Sequence, residues 1–190
     1  MQTAHNARFM SVEEYLEAEL SARDLHEYVG GIAYAKAGSS IGHNLIVGNL
    51  IAALKPHLRN GPCRLFAINF MARFRVGQGE IIYYPDVMVT CDPRDTDPYF
   101  RSFPKLLVEV LSPSTERTDR QEKFLSYTKI ETLEEYVLIA QDRIEVTVFR
   151  RANNWQPEVT RQSDQALKLD SIKTSVPLRV VYEDVSVWRA

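Results

Sequence analysis

Cysteine is scarce in this chain: 190 residues contain only Cys63 and Cys91. Two residues cannot build the multi-bridge framework of a small secreted domain, and they lack the CxxC spacing of a structural zinc site. Each is expected to be a free, small core hydrophobe in a reducing compartment. Charge of one sign is lacking as well. With 23 Lys and Arg against 25 Asp and Glu, the formal net charge is -2, so the totals announce no nucleic-acid partner, although a local cleft can still be basic. Long hydrophobic runs are also missing, the most apolar stretch being broken by His43, Asn44 and Asn49. No basic-then-apolar leader opens the chain. These absences lead to the expectation of a cytoplasmic protein with no membrane partner. No repeat, low-complexity tract or linker divides the sequence, so residues 1–190 are expected to form one domain.

Periodicity then places the elements. Ser11 and Glu14 form a capping box for a helix through about Leu20. Two strand-like runs flank Gly30-Gly31 as a hairpin. Apolar residues recur near helical period from Ile41 to about Leu58. Strands are expected over Cys63–Phe70, Ala72–Val76 and Glu80–Tyr84, with Gly77-Gln78-Gly79 as a turn. Cys91 to Pro104 is a long connection, expected as a flap or site rim. Lys105–Leu111 is a central strand, and a capping box at Thr118-Asp119-Arg120-Gln121 opens a helix to about Thr128. Strands Glu135–Ala140 and Ile144–Arg150 follow, then a strand-and-turn tail running to Trp188. The order implies an α/β fold with a mixed central sheet flanked by helices, an N-terminal hairpin and extra C-terminal strands.

Two carboxylates sit where this pattern asks for hydrophobes. Asp86 follows Tyr84-Pro85 and opens an apolar run, and Glu109 stands inside Leu106-Leu107-Val108-x-Val110-Leu111. An unpaired buried carboxylate costs several kcal/mol, on the order of 3–5, or else becomes neutral. A shared divalent cation removes that cost for both, since hard metals take carboxylate oxygens. Glu109 has a competing explanation as half of a buried Glu–Lys pair, with Lys123 as the other half. Arg120, Lys123 and Tyr127 are spaced to share one helix face. Asp92, Asp95 and Asp97 lack calcium-loop spacing and read as loop solvation.

The combination Tyr84-Pro85-Asp86-Val87, Val108-Glu109-Val110-Leu111-Ser112-Pro113-Ser114 and Asp119-Arg120-x-x-Lys123-x-x-x-Tyr127 resembles the Uma2 (DUF820) family of restriction-endonuclease-like PD-(D/E)XK nucleases. The likeness covers roughly residues 10 to 150 and includes Glu27 and Gly42-His43. It implies a restriction-endonuclease-like core and a nuclease that uses Mg2+ or Mn2+ to hydrolyse phosphodiester bonds in nucleic acid, DNA first, with a homodimer by fold analogy. Asp86, Glu109, Lys123 and Glu27 would be the catalytic set. Asp86, Glu109 and the Val110 carbonyl would hold the metal, and Arg120, Tyr127 and His43 would bind substrate. The superfamily places a lysine two residues after the second carboxylate; here that position is Leu111, and the resemblance implies that Lys123 replaces it. Lys55, Arg59, Arg64, Arg73, Arg75 and Arg117 join Arg120 as candidate phosphate contacts. Two other readings compete: an inactive nuclease-fold binding module, and a metal phosphoesterase for small nucleotides.

Overall fold

The structure is a computed structural model and describes residues 9–36 and 38–186. The chain begins with α1 (Val12–Ser21), capped as expected: the Glu14 amide donates to Ser11 Oγ at 3.2 Å and the Ser11 amide to Glu14 Oε2 at 2.8 Å. β1 (His26–Val29) and β2 (Ile32–Ala35) form the hairpin. Its tight turn requires positive φ at Gly30 (56°) and Gly31 (99°), where glycine carries no steric penalty. α2 (Ile41–Leu58) buries Ile46, Leu50, Leu54 and Leu58 along one stripe.

Then come β3 (Arg64–Ala67), β4 (Met71–Val76), β5 (Gly79–Tyr83), β6 (Val87–Thr90), the short β7 (Phe100–Arg101) and β8 (Pro104–Leu111). The next helical stretch has three parts, α3 (Glu116–Thr118), a π-helical segment (Asp119–Lys123) and α4 (Phe124–Tyr127). β9 (Glu135–Ala140), β10 (Val146–Arg150), β11 (Pro157–Thr160), β12 (Ala166–Leu169), β13 (Thr174–Pro177) and α5 (Leu178–Val181) complete the described chain. Trp188 of the expected tail lies outside the described residues.

The strands make a six-stranded sheet ordered β11-β10-β9-β8-β6-β3, a five-stranded sheet ordered β2-β1-β5-β4-β7, and the β12–β13 pair. The fold is therefore mixed α/β. β8 and β9 run parallel, joined by the helical crossover, and the neighbouring pairs run antiparallel. Period-two alternation sorts their side chains. Leu106, Val108, Val110, Val137 and Ile139 pack with the α2 stripe. Leu107, Leu111, Leu138 and Tyr136 pack on the opposite face with Phe74 and Tyr83 of the five-stranded sheet. Glu109 shares that second face by parity, so its carboxyl is set between the two sheets. Tyr84-Pro85 carries the chain from one sheet to the other. Pro85 has no N–H to give a ladder, so pairing stops there and Asp86 enters at the head of β6.

Three expectations need correction. Cys63 and Cys91 are a disulfide, not free core thiols. They flank Arg64 and Thr90, which are partners in the antiparallel β3–β6 ladder, and one further step along that ladder sets the cysteines face to face. Thr118 is not a helix N-cap: helical structure is already present at Glu116 and Thr118 makes no side-chain cap bond. The 91–104 connection is not a flap over a site. Asp95 staples it, accepting from the Ser102 amide at 2.7 Å and from Thr90 Oγ1 at 2.5 Å, and Asp92 and Asp97 likewise accept from backbone amides of the same loop.

Candidate active site

Register brings the two strand carboxylates together. β6 and β8 pair antiparallel with Val87 opposite Val108, and one step further sets Asp86 opposite Glu109. Both line a cavity of about 40 Å³ together with Glu27, Asp119, Lys123, Lys36 and His43. Glu27 comes from β1, Asp119 and Lys123 from the π-helical segment, and His43 from the first turn of α2. Five elements thus contribute side chains to one space between the sheets.

Lys123 is the hub. The residue is 5% exposed, and its ammonium lies 2.8 Å from Glu27 Oε1, 3.1 Å from Glu109 Oε1 and 3.3 Å from Asp119 Oδ1. Tyr127 donates to the same Glu109 oxygen at 2.9 Å. A π turn is what permits this convergence: widening the helix by one residue re-aims the side chains within it, a distortion common at functional sites. Tyr136 fixes the distorted segment by donating to the Asp119 carbonyl at 3.0 Å.

Asp86 is held differently. Its Oδ2 accepts from the Val110 amide at 2.7 Å and sits 3.0 Å from His43 Nε2. Lys36 Nζ is 3.9 Å from Oδ1 and donates to the Tyr84 carbonyl at 3.1 Å. The Tyr84 amide in turn donates to Glu27 Oε1 at 3.4 Å. The peptide that breaks the strand therefore links Lys36 to Glu27.

Electrostatics separate the two strand carboxylates. Burial pushes the Asp86 carboxyl up, but His43, Lys36 and the Val110 amide outweigh it and leave it below the usual carboxylate range. Burial raises Glu109 to about 8; Lys123 pulls it down, while Asp119, Asp86 and Glu27 push it further up. Asp119 is raised by burial against the pull of Lys123. Burial works against charge on Lys123, but the surrounding carboxylates more than compensate and hold it firmly protonated. Four carboxylates thus face two ammonium groups and an imidazole, and burial favours the protonated form of Glu109.

That imbalance bears on a metal. Among the described residues no three His, Cys, Asp or Glu side chains already converge as a ligand set. The chemistry of the oxygens nevertheless fits a hard divalent cation. Both hydrogen bonds to Glu109 go to Oε1, and buried Asp119 Oδ1 takes no aligned hydrogen bond. Oxygens short of aligned donors, an excess of carboxylate and a raised Glu109 are what a bound cation would correct.

Of the residues singled out from sequence, Asp86, Glu109, Lys123, Glu27, His43 and Val110 line this cavity, and Tyr127 touches it through Glu109. Arg120 is not brought there. Its guanidinium pairs with Glu116 at 2.9 Å and Glu145 at 3.1 Å, because the π turn breaks the face it was expected to share with Lys123. None of the seven candidate phosphate contacts lines the cavity; Arg73 and Arg75 pair with Glu80, and Arg64 bonds the Gly61 carbonyl. Asp119 and Lys36 were missed. Asp119 stands four residues before Lys123, a spacing that could have found it. Lys36 carries no local signal.

Known proteins share this chain's sequence pattern and fold. The Uma2 family, described as "Putative restriction endonuclease", matches residues 12–180. The uncharacterized protein slr1290 of Synechocystis sp. is 35% identical over 179 residues, 93% of each chain. A second uncharacterized Synechocystis protein, sll1609, is 30% identical over 159 residues, 82% of this chain and 89% of the relative. A crystal structure from Anabaena variabilis, described as "a putative nuclease belonging to DUF820", superposes with a TM-score of 0.74 at 18% identity, covering 91% of this chain and 97% of that one. At that identity the superposition shows a shared fold. By the match over most of its length, the chain belongs to the Uma2 family of restriction-endonuclease-like proteins.

Proposed function

We propose that this chain is a Mg2+- or Mn2+-dependent endonuclease that hydrolyses phosphodiester bonds in DNA. The observation that carries the reading is the Asp86–Glu109 pair facing one cavity, with the Lys123 ammonium hydrogen-bonded to Glu109. Asp86, Glu109 and the Val110 carbonyl would hold the cation. When bound, it would supply positive charge to the phosphate and make water more acidic.

The protein's own groups do the rest. Lys123 is kept charged by its carboxylates, and in a desolvated site an ammonium stabilises charge growing on the phosphate oxygens or orients the attacking water. Glu27 and Asp119 fix the ammonium from two further sides, and Tyr127 fixes the Glu109 carboxyl. The Val110 amide and His43 hold Asp86 ionised and in one orientation. The water oxygen gives up a proton to solvent as it forms the new P–O bond, the opposite P–O bond breaks, and the leaving oxygen takes a proton from solvent.

Supercoiled and linear DNA incubated with the protein in Mn2+ tests the reading. Cleavage that disappears with EDTA and in Asp86→Asn supports it. Metal-dependent binding without cleavage would favour the inactive module, and hydrolysis confined to mononucleotides would favour the small-substrate phosphoesterase.

A further inference from the structure

The turn joining β3 to β4 holds an exposed isoleucine in a backbone conformation that β-branched residues avoid. Ile68 has φ of 53° and the following Asn69 has φ of 63°. Asparagine tolerates the left-handed region; isoleucine is strained there. The strained side chain is also 60% exposed, so burial of its own methyl groups does not hold it in place. What holds it is the base of the turn. Phe66 and Phe70 stack with ring centroids 4.6 Å apart, and the Arg101 guanidinium lies 4.5 Å and 5.2 Å from the two rings. The clamp makes the tip a rigid projection, and strain maintained by surrounding structure next to a reactive centre points to a use for it.

The tip borders a second cleft, about 60 Å³, lined by Ile68, Asn69 and Asn44 and sharing Lys36, His43 and Asp86 with the carboxylate cavity. Asp86 is therefore a common wall. The side-chain amides of Asn44 and Asn69 make no hydrogen bond to other described residues, so each has a free donor and a free acceptor. The Lys36 ammonium stands at the junction, 24% exposed.

Resting on the nuclease reading above, we propose that this cleft receives the nucleotide next to the scissile phosphate, with Ile68 wedged against a base step. A base offers an apolar face to Ile68 and hydrogen-bonding edges to Asn44 and Asn69, while the linking phosphate passes Lys36. Isoleucine is among the apolar side chains that unstack base steps, and asparagine amides pair with base edges. The wedge would make cleavage prefer steps that open easily, such as pyrimidine–purine steps.

The test uses the full chain. Cleavage positions on a long duplex are mapped in Mn2+, and duplexes carrying 2-aminopurine at a mapped position are then bound in Ca2+. Wild-type protein should brighten the 2-aminopurine as it unstacks. Ile68→Asn fits the left-handed backbone and should melt at the same or a higher temperature, so loss of folding is separable by a melting curve. It should bind about 10-fold more weakly, the scale of a lost methylene contact in a pocket, with the brightening gone and cleavage positions changed. If wild type cleaves but Ile68→Asn brightens the probe equally and cuts the same positions, the wedge is overturned and the nuclease reading stands. If wild type neither binds nor cleaves DNA, both are overturned.

Discussion

Glu109 and Glu135 lie on adjacent parallel strands, three register steps apart in the β8–β9 pair, and each is almost fully buried. Their surroundings differ in one respect. Glu135 has a donor for each oxygen: Arg150 Nε at 2.8 Å and the Asp170 amide at 3.0 Å on Oε1, and the Ser171 amide at 3.0 Å with the Ser171 hydroxyl on Oε2. The Arg150 guanidinium also pairs with the more exposed Glu158 and Asp170, but both oxygens of Glu135 are met by donors. Glu109 shares a single ammonium with Glu27 and Asp119, and both its donors crowd onto one oxygen. A buried carboxylate is thus not by itself a sign of function. A buried carboxylate left short of donors, among others of its own sign, is.

Experiments can sharpen that contrast. The largest effect is expected at the hub. Lys123→Met should cut single-turnover cleavage at saturating Mn2+ by about 100-fold or more, as when a charge-stabilising group is removed, while Mn2+ affinity is retained. A wild-type rate from this variant would remove Lys123 from the chemistry. The structural pair should respond in stability. Arg150→Met, which leaves Glu135 buried and unpaired, should cost about 3–5 kcal/mol by urea denaturation, and Mn2+ should not restore it. Restoration by Mn2+ would erase the distinction between the two carboxylates.

Protons give a third, smaller handle. Because folding raises Glu109 from 4.5 to about 8, the metal-free native state binds a proton that the unfolded chain releases. Its stabilising contribution is complete below pH 4.5 and is lost as pH climbs through about 8. Metal must displace that proton, so Mn2+ affinity should rise about tenfold per pH unit toward pH 8 and then flatten. Glu109→Gln should abolish the pH dependence of stability in that window. A flat affinity between pH 6 and 8 would contradict the raised carboxyl. The smallest effect belongs to Arg120, which is paired at a half-exposed surface: Arg120→Ala should change stability by less than about 1 kcal/mol and leave the cleavage rate unchanged. A large rate loss would return Arg120 to the site.

Much of this arrangement was legible because local patterns were strong. The Gly30-Gly31 hairpin, the α2 stripe and the strand runs follow from turn chemistry and periodicity. Asp86 and Glu109 stood out by interrupting apolar runs, and Lys123 came from resemblance to a family motif. What stayed hidden depends on contacts between distant segments. Cys63 and Cys91 become partners only once β3 is paired to β6. The Asp170 and Ser171 amides donate to Glu135 from 35 and 36 residues away. Asp119 takes on a role only once the helical segment packs beside Glu27 and Glu109, where it joins the carboxylates around Lys123. Lys36 acquires meaning only when the Tyr84 carbonyl and Asp86 come to meet it.

The central claim is that the donor-poor carboxylates, and not the satisfied one, hold a divalent cation. Titration calorimetry with Mn2+ at pH 8 on wild type, Glu109→Gln and Glu135→Gln, each shown folded by circular dichroism, tests it directly. Wild type and Glu135→Gln should each bind Mn2+, with Glu109→Gln losing most of the affinity. Equal binding by wild type and Glu109→Gln, or none by wild type, would contradict it.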